Sequence, residues 1–141
     1  MKNVFIDTNV FVDFIAHREE FYEPAALIIS LASRKRINLL VSALSFATAS
    51  YLLEHHYKMS SNEIIEDYQC FISLCNVTTV NQEIVKLSVN SNFLDFEDAM
   101  QHFSAVMDGA DYIVTRNKPD FALSKIPVYE PQEFLQMLVQ S

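Results

Sequence analysis

The chain has 141 residues, of which 50% are hydrophobic, so it can form one domain with an apolar core. Its net charge is −8, from 10 Lys and Arg against 18 Asp and Glu, which excludes a broad basic surface for nucleic acid. An enzyme acting on nucleic acid stays compatible with this charge, because carboxylates around a divalent cation present the cation's positive charge to a phosphate. We expect a single domain over residues 1–141.

The cysteines and one uncharged stretch bear on the compartment of the protein. Cys70 and Cys75 are predicted to share a helix as two buried thiols, which favours a reducing, cytoplasmic compartment over a disulfide framework or a zinc site. Residues 37–53 lack charge, and their 17 residues are near the lower limit of ~17 to 25 for a transmembrane helix. Polar residues interrupt this stretch, which divides into a strand at Ile37–Val41 and a helix from Leu44 to His55. We therefore expect no membrane span.

The first element of the chain is a short buried strand followed by a helix. Val4–Ile6 is an apolar run rich in β-branched and aromatic residues, and it ends at Asp7. Thr8 and Asn9 are typical of a helix start, and the apolar residues from there to Ile15 have helical spacing. Asp7 therefore lies at the carboxyl edge of a sheet, where it can face a metal or a phosphate. The alternative is that Asp7 only caps the helix.

The middle of the chain alternates between helices and strands. A helix from Pro24 ends in the basic run 34–36, and a basic last turn suits the helix dipole better than it indicates an RNA-binding patch. Ser60 and Glu63 have the spacing of a capping box that starts the next helix. The remaining predicted elements are a strand at Val77–Val80, helices from Gln82 to Asn90 and from Asp95 to Asp108, strands at Asp111–Thr115 and Pro127–Tyr129, and a helix from Pro131 to Val139.

The helix from Asp95 to Asp108 combines an apolar face with an acidic edge. Asp95, Asp98 and His102 project from that edge, where His102 is predicted to be solvated, and Gly109 is placed to end the helix. The predicted apolar face consists of Phe96, Ala99, Met100, Phe103, Val106 and Met107. The aromatic rings of Tyr51, Phe71 and Phe103 are expected in the core.

Polar residues after the next strand are predicted to meet Asp7. Thr115, Arg116, Asn117 and Asp120 follow an apolar strand, so they would lie at the same carboxyl edge. Strands that alternate with helices predict a three-layer α/β domain with a mainly parallel sheet.

Two classes of α/β protein are less compatible with these residues. Rossmann and P-loop proteins need glycines at the phosphate turn, and the only glycine is Gly109. Phosphatases of the haloacid dehalogenase type need a second aspartate two residues after the first, where this chain has Asn9.

Three motifs together resemble those of a PIN domain, of the kind found in the ribonuclease toxins of toxin–antitoxin pairs. They are Val-Phe-Ile-Asp-Thr-Asn at 4–9, Glu-Asp-Ala at 97–99, and the run from Gly109 to Phe121. The resemblance implies a metal-dependent endoribonuclease in which three or four acidic residues hold Mg²⁺ or Mn²⁺. By this resemblance Asp7 and Asp98 match the first and central aspartates of the family.

The resemblance also shows departures from the family pattern. Asn117 stands where many members have another aspartate, with Asp120 just beyond it, and Thr48 stands where a helix glutamate is usual. Since Mg²⁺ is normally held by one or two carboxylates with waters, Asp7 and Asp98 still suffice to bind it weakly. A site with two metal ions would need a further carboxylate from Glu97 or Asp120.

We therefore hypothesise one metal ion, bound by Asp7 and Asp98 with help from Asp120, that activates water for attack on an RNA phosphodiester. Asn117 would orient the water. Thr115, Arg116 and Asn9 are expected to bind the substrate, with Arg116 steadying the phosphate. The alternative is a catalytically degenerate domain that binds RNA or protein.

The resemblance implies two protein partners. Toxins of this type are held inactive by a small antitoxin whose tail covers the acidic cleft, and they commonly form homodimers. The apolar residues Leu52, Leu53 and Tyr57 are candidates for such a surface.

Overall fold

A computed structural model describes residues 1–140 of the chain. Five strands and seven α-helices are formed within this range, together with two short 3-10 helices at Ile72–Leu74 and Lys118–Phe121. In chain order the elements are β1 (Lys2–Ile6), α1 (Thr8–Ile15), α2 (Tyr22–Ser33), β2 (Ile37–Ser42), α3 (Ala43–His55), α4 (Ser61–Phe71), β3 (Cys75–Thr78), α5 (Gln82–Val89), α6 (Phe96–Met107), β4 (Tyr112–Val114), β5 (Val128–Tyr129) and α7 (Pro131–Gln140).

The strands form one parallel sheet in the order β3-β2-β1-β4-β5. The central strand β1 pairs with both β2 and β4, with Val4 opposite Leu39 on one side and Tyr112 on the other. The strand order reverses between β1 and β4, which is where open parallel sheets form a crevice at their carboxyl edge. The turns after β1 and β4 therefore meet at this crevice, as the sequence predicted.

The two faces of the sheet carry separate apolar cores. Val4 and Ile6 of β1 are fully buried in the larger core, together with Phe11 of α1. Phe5 is fully buried on the opposite face, against Phe121. Because successive side chains of a strand point to opposite faces, this division indicates helices on both sides of the sheet. The predicted three-layer α/β class is confirmed.

Helix ends and turns follow local sequence signals in most places. The capping box is formed, since Ser60 Oγ accepts from the backbone N–H of Glu63 and the Glu63 carboxylate accepts from that of Ser60. Gly109 follows α6 with φ of +78°, a left-handed conformation that glycine adopts without steric cost. No helix within residues 1–140 is long and apolar enough to cross a bilayer. The uncharged stretch 37–53 is β2 followed by α3, as predicted.

Two predictions in the middle of the chain are wrong. Helix α2 ends at Ser33, so the basic run 34–36 follows the helix, and Lys35 turns the chain with φ of +59°. Cys75 begins β3 instead of continuing a helix, because a 3-10 turn ends that helix. Cys70 is exposed and Cys75 is half-buried, so the expected pair of buried thiols is absent.

The predicted core faces of α3 and α6 also need correction. Tyr51 is 66% exposed, whereas Leu53 is fully buried and cannot form an outer surface. On α6, Phe96 and Met107 are exposed, while His102 is fully buried instead of solvated. The side of α6 that packs inward carries small and polar residues that bond to neighbouring elements, and apolar periodicity gives no signal for such a face. The buried residues of this helix are Ala99, Gln101, His102, Ser104 and Ala105.

Candidate active site

Asp7 occupies the turn between β1 and α1 and both caps the helix and lines the crevice. Its Oδ1 accepts a hydrogen bond of 2.8 Å from the backbone N–H of Thr8, as an N-cap residue does. Its Oδ2 accepts bonds from the Thr115 hydroxyl at 2.8 Å and from the Asn9 amide at 3.3 Å. The two interpretations of Asp7 from the sequence are therefore compatible, because each carboxylate oxygen serves one of them.

The segment after β4 is bonded to the same turn. Thr115 is fully buried, and its Oγ1 accepts from the backbone N–H of Asn117 at 3.1 Å. The Asn9 side chain donates to Thr115 Oγ1 at 3.3 Å and accepts from the backbone N–H of Arg116 at 3.3 Å. Two of the predicted substrate-binding residues, Asn9 and Thr115, thus join the two turns. Asn117 itself is exposed at the crevice.

Asp98 reaches the crevice from the first turn of α6. Asp95 is the N-cap of this helix and accepts from the backbone N–H of Asp98 at 3.0 Å, which orients the turn. The half-buried Asp98 carboxyl has a pKa raised from 3.8 to about 7, first by burial and then by repulsion from Asp7, Asp95, Asp120 and Glu97.

The pKa of Asp7 is also raised, from 3.8 to about 6, chiefly because the carboxyl is buried. The bonds from Thr115 and Thr8 oppose this rise, and repulsion from Glu97 and Asp120 adds to it. Asp120 lies in the 3-10 helix that follows Asn117 and is exposed. The fold therefore brings Asp7, Asp98 and Asp120 within electrostatic range of one another.

Glu97, which the sequence offered with Asp120 as an alternative source of a further carboxylate, lies within electrostatic range of Asp7 and Asp98. Its Oε1 accepts a 3.1 Å hydrogen bond from the Thr48 hydroxyl on α3. Thr48 is the position at which a helix glutamate was expected. The sequence places Glu97 next to Asp98, but it does not predict the contact between α3 and α6 that brings Glu97 to Thr48.

A buried polar network underlies the carboxylates. Gln101 Nε2 donates to Thr8 Oγ1 at 2.7 Å and to Ser45 Oγ at 2.8 Å, and the two hydroxyls are 2.8 Å apart. This network links α6 with α1 and α3. Gln101 Oε1 is buried without a hydrogen-bond partner among residues 1–140. Gln101 could not be predicted as part of the site, because a single polar residue on a helix carries no positional signal.

Arg116 is anchored beside the crevice. Its Nε and Nη2 donate to the Asp13 carboxylate at 2.6 and 3.2 Å, and its guanidinium lies 4.0 Å from the centre of the Phe21 ring. Asp13 is 1% exposed, so this paired charge is held in a fixed geometry. The contact gives Arg116 a structural role and leaves its predicted contact with a phosphate untested.

The donor atoms of the edge fit a hard divalent cation held by few protein ligands. Within the described residues, no group of three or more His, Cys, Asp or Glu side chains is arranged to hold a metal by itself. Mg²⁺ needs only one or two carboxylates beside its waters, and Asp7 with Asp98 can supply them. Burial, and next the neighbouring carboxylates, raise the pKa values of Asp7 and Asp98, and a bound cation would favour the charged form of both.

Comparison with known proteins agrees with this architecture. A model of the PIN domain family matches residues 3–119. Over 140 residues the chain is 24% identical to ribonuclease VapC1 of Aquifex aeolicus, covering 96% of this chain and 94% of that protein. The fold is similar to the structure of VapBC2 from Rickettsia felis bound to a DNA fragment from their promoter, with a TM-score of 0.64 and 17% identity over 91% of this chain and 97% of that chain.

A second solved structure, PAE2754 from Pyrobaculum aerophilum, is similar with a TM-score of 0.63 and 16% identity, covering 99% of this chain and 91% of that chain. The family match covers most of the length, and it includes the turns that carry Asp7, Asp98 and Asn117. The chain therefore belongs to the PIN domain family, as its three motifs predicted.

Proposed function

We propose that this protein is a metal-dependent endoribonuclease of the toxin type, which hydrolyses phosphodiester bonds of RNA. The observation that carries the proposal is the meeting of Asp7 and Asp98 at the carboxyl edge of a PIN-domain sheet, each with a raised pKa. Carboxyl groups whose pKa values are raised by burial and by neighbouring carboxylates are typical of functional sites. The similarity to a ribonuclease along nearly the whole chain supports the same reaction class.

In this proposal Asp7 and Asp98 hold one Mg²⁺ or Mn²⁺, with Asp120 as a further carboxylate. When bound, the ion supplies a Lewis acid that lowers the pKa of water and offsets charge on the phosphate. Asp7 is kept in one orientation by the bonds from Thr8 and Thr115. The exposed amide of Asn117 orients the attacking water, and the Gln101 network fixes the helices from beneath.

Glu97 supplies, from α6, the carboxylate that Thr48 does not supply from α3. The bond from the Thr48 hydroxyl engages only one of the two carboxylate oxygens, Oε1. Thr48 is then a positioning residue that holds Glu97. This exchange accounts for a PIN domain that has a carboxylate beside Asp7, Asp98 and Asp120 without the usual helix glutamate.

Binding of RNA is assigned to Asn9 and Arg116, as expected from the sequence, whereas the fully buried Thr115 holds Asp7 and Asn9 in place. Asn9 lies between Asp7 and Arg116 and forms hydrogen bonds with both. A phosphate bound by Asn9 would therefore lie beside the carboxylate edge. Arg116 supplies a permanent positive charge beside that edge.

Cleavage of a labelled single-stranded RNA, with and without Mn²⁺, tests the function. We expect cutting that requires the metal and falls by at least about 100-fold in Asp7→Asn, since that variant loses a carboxylate ligand. Asp67→Asn, on α4 away from the carboxylate edge, is the matched control and should cut like the wild type. Equal cutting by Asp7→Asn would refute the assignment. No cutting by the wild type would favour the alternative, an RNA- or protein-binding module.

We further propose an antitoxin partner, a homodimer and a cytoplasmic location. Support for the partner comes from the similarity to VapBC2, whose structure contains a toxin–antitoxin pair. Of the expected surface residues, Leu52 is 37% exposed and adjoins the exposed Tyr51, whereas Leu53 belongs to the core. A monomeric mass by light scattering would contradict the dimer.

A further inference from the structure

A cavity of about 290 Å³ opens beside the carboxylate edge, between the end of α3 and the segment after α1. Its polar and aromatic lining consists of Asn9, Arg18, His56, Tyr57 and Arg116. None of the described residues that line it is Asp or Glu, although the chain has a net charge of −8. Its lining therefore favours a ligand that carries negative charge over a cation.

The charge of this cavity comes from two guanidinium groups that share one carboxylate. Asp13 is almost completely buried and holds Arg116 through two bonds. Arg18 Nη1 lies 3.6 Å from the same carboxylate, and the Arg18 side chain is 37% exposed. Two permanent positive charges against one negative charge leave one in excess. Arg18, whose ion pair with Asp13 is long and whose side chain is partly exposed, is the group that can turn to an incoming anion.

Aromatic rings stand next to these cations. The Arg18 guanidinium lies 5.1 Å from the ring centre of Phe21 and 6.0 Å from that of Tyr57. The His56 ring packs edge-on against Tyr57, with centres 4.7 Å apart. Guanidinium groups bind phosphate oxygens through paired N–H donors, and unpaired bases stack on aromatic side chains. Within this cavity, a guanidinium group can bind the phosphate of a nucleotide and the half-buried Tyr57 ring can contact its base.

The cavity is continuous with the carboxylate edge through Asn9. The Asn9 side chain contacts Asp7 Oδ2 at 3.3 Å on one side and the backbone N–H of Arg116 at 3.3 Å on the other, and it also lines the cavity. An RNA strand with its scissile phosphate at Asp7 would therefore have an adjoining nucleotide beside this cavity. Its volume is near the lower end of the ~300 to 1,000 Å³ of small-molecule pockets, which suits one nucleotide and excludes a folded RNA.

We propose that this cavity is a subsite for the nucleotide of single-stranded RNA that adjoins the scissile phosphate, with Arg18 on its phosphate and Tyr57 against its base. The inference rests on the proposed function, since it takes RNA as the substrate. It adds that the protein recognises an unpaired nucleotide outside the carboxylate edge, and that this recognition does not require the metal.

The test is binding of a fluorescein-labelled single-stranded RNA in EDTA, measured by fluorescence polarisation over a range of NaCl concentrations. Arg18→Gln should weaken binding about tenfold and reduce the salt slope by about 0.7, the value for one phosphate contact on a single strand. Arg18→Lys should keep the salt slope. Tyr57→Leu should weaken binding about tenfold at an unchanged slope, because it removes stacking and no charge.

Arg36→Gln is the matched control, since it removes the same charge from the opposite edge of the sheet, before β2. Thermal unfolding of each variant verifies that it is folded. Equal weakening by Arg36→Gln and Arg18→Gln, or no binding by the wild type, would overturn the subsite. Binding that depends on Arg18 and Tyr57 without any cleavage in Mn²⁺ would uphold the subsite and refute the ribonuclease, so the two failures are distinguishable. An RNA duplex should bind more weakly than the single strand.

Discussion

At the scale of single residues, the raised pKa of the Asp98 carboxyl makes the stability of the metal-free protein depend on pH. Its folded pKa of about 7 is above the unfolded value of 3.8, so the native state binds the proton more tightly than the unfolded state. The stability that this proton provides is fully present below pH 3.8 and is lost as the pH rises through about 7. At pH 8 the ionised Asp98 carboxylate therefore destabilises the metal-free protein.

Asp98→Asn should consequently stabilise the metal-free protein at pH 8 by about 1 kcal/mol, a value reduced for partial exposure. The difference from the wild type should shrink towards pH 5, where the wild-type carboxyl is protonated in the native state. Urea unfolding in EDTA at the two pH values measures this. Asp67→Asn serves as the control for a carboxylate away from the cluster, and a destabilised Asp98→Asn at pH 8 would contradict the interpretation.

The position of a residue was predictable where a local sequence pattern determines it. It was not predictable where a hydrogen bond to a residue far along the chain determines it. Asp7 was readable because a buried strand ends at that residue and a helix begins after it. Gln101 and Glu97 were not, since their roles depend on hydroxyl groups of Thr8, Ser45 and Thr48 on other helices. His102 was misjudged for the same reason, because its Nε2 accepts from the backbone N–H of Lys125, far along the chain.

At the scale of elements, α3 and α6 are joined by the hydrogen bond from the Thr48 hydroxyl to the Glu97 carboxylate. The Thr48–Glu97 bond fixes how these helices face each other at the crevice. If Glu97 is a ligand of the metal, a glutamate at position 48 of α3 should be able to take its place. The exchange of side chains between Thr48 and Glu97 tests this directly.

Calorimetric titration with Mn²⁺ should show affinity reduced about tenfold in Glu97→Gln, and about threefold in Thr48→Val, which only removes the supporting bond. The double variant Thr48→Glu with Glu97→Gln should recover most of the wild-type affinity, because a carboxylate is restored from α3. Affinity in the double variant that stays as low as in Glu97→Gln would show that Glu97 takes no part in the site. Thermal unfolding of all three variants verifies that they are folded.

The elements themselves were largely predictable, because buried strands and capped helices have local signals. The capping box at Ser60 and the glycine after α6 marked helix ends correctly. The inward side of α6 did not follow its apolar periodicity, since Ser104 bonds at 2.6 Å both to the Thr78 hydroxyl and to the Thr79 carbonyl. Hydrogen bonds made across elements replace apolar contacts there, and no pattern within one helix reports them.

At the scale of the whole molecule, opposing pKa shifts set the pH range in which the fold is stable. Asp7 and Asp98 have raised pKa values and favour folding at low pH, while burial lowers the pKa of His102 from 6.5 to about 4. Because this folded pKa is depressed, the unfolded state takes up a proton first as the pH falls. His102 therefore lowers the free energy of unfolding progressively from pH 6.5 towards pH 4.

His102→Gln should remove this loss, since glutamine does not titrate and its amide oxygen can accept from the backbone N–H of Lys125 in place of Nε2. Relative to the wild type, the variant should gain about 1 to 2 kcal/mol of unfolding free energy when the pH is lowered from 7.5 to 5. Urea unfolding at both pH values, in EDTA, measures the gain. His55→Gln, which removes an exposed imidazole at the end of α3, is the matched control. If the unfolding free energy of His102→Gln differs from that of the wild type by the same amount at pH 7.5 and pH 5, the imidazole takes up its proton equally in the native and unfolded states. Burial of His102 would then not limit the acid stability of the domain.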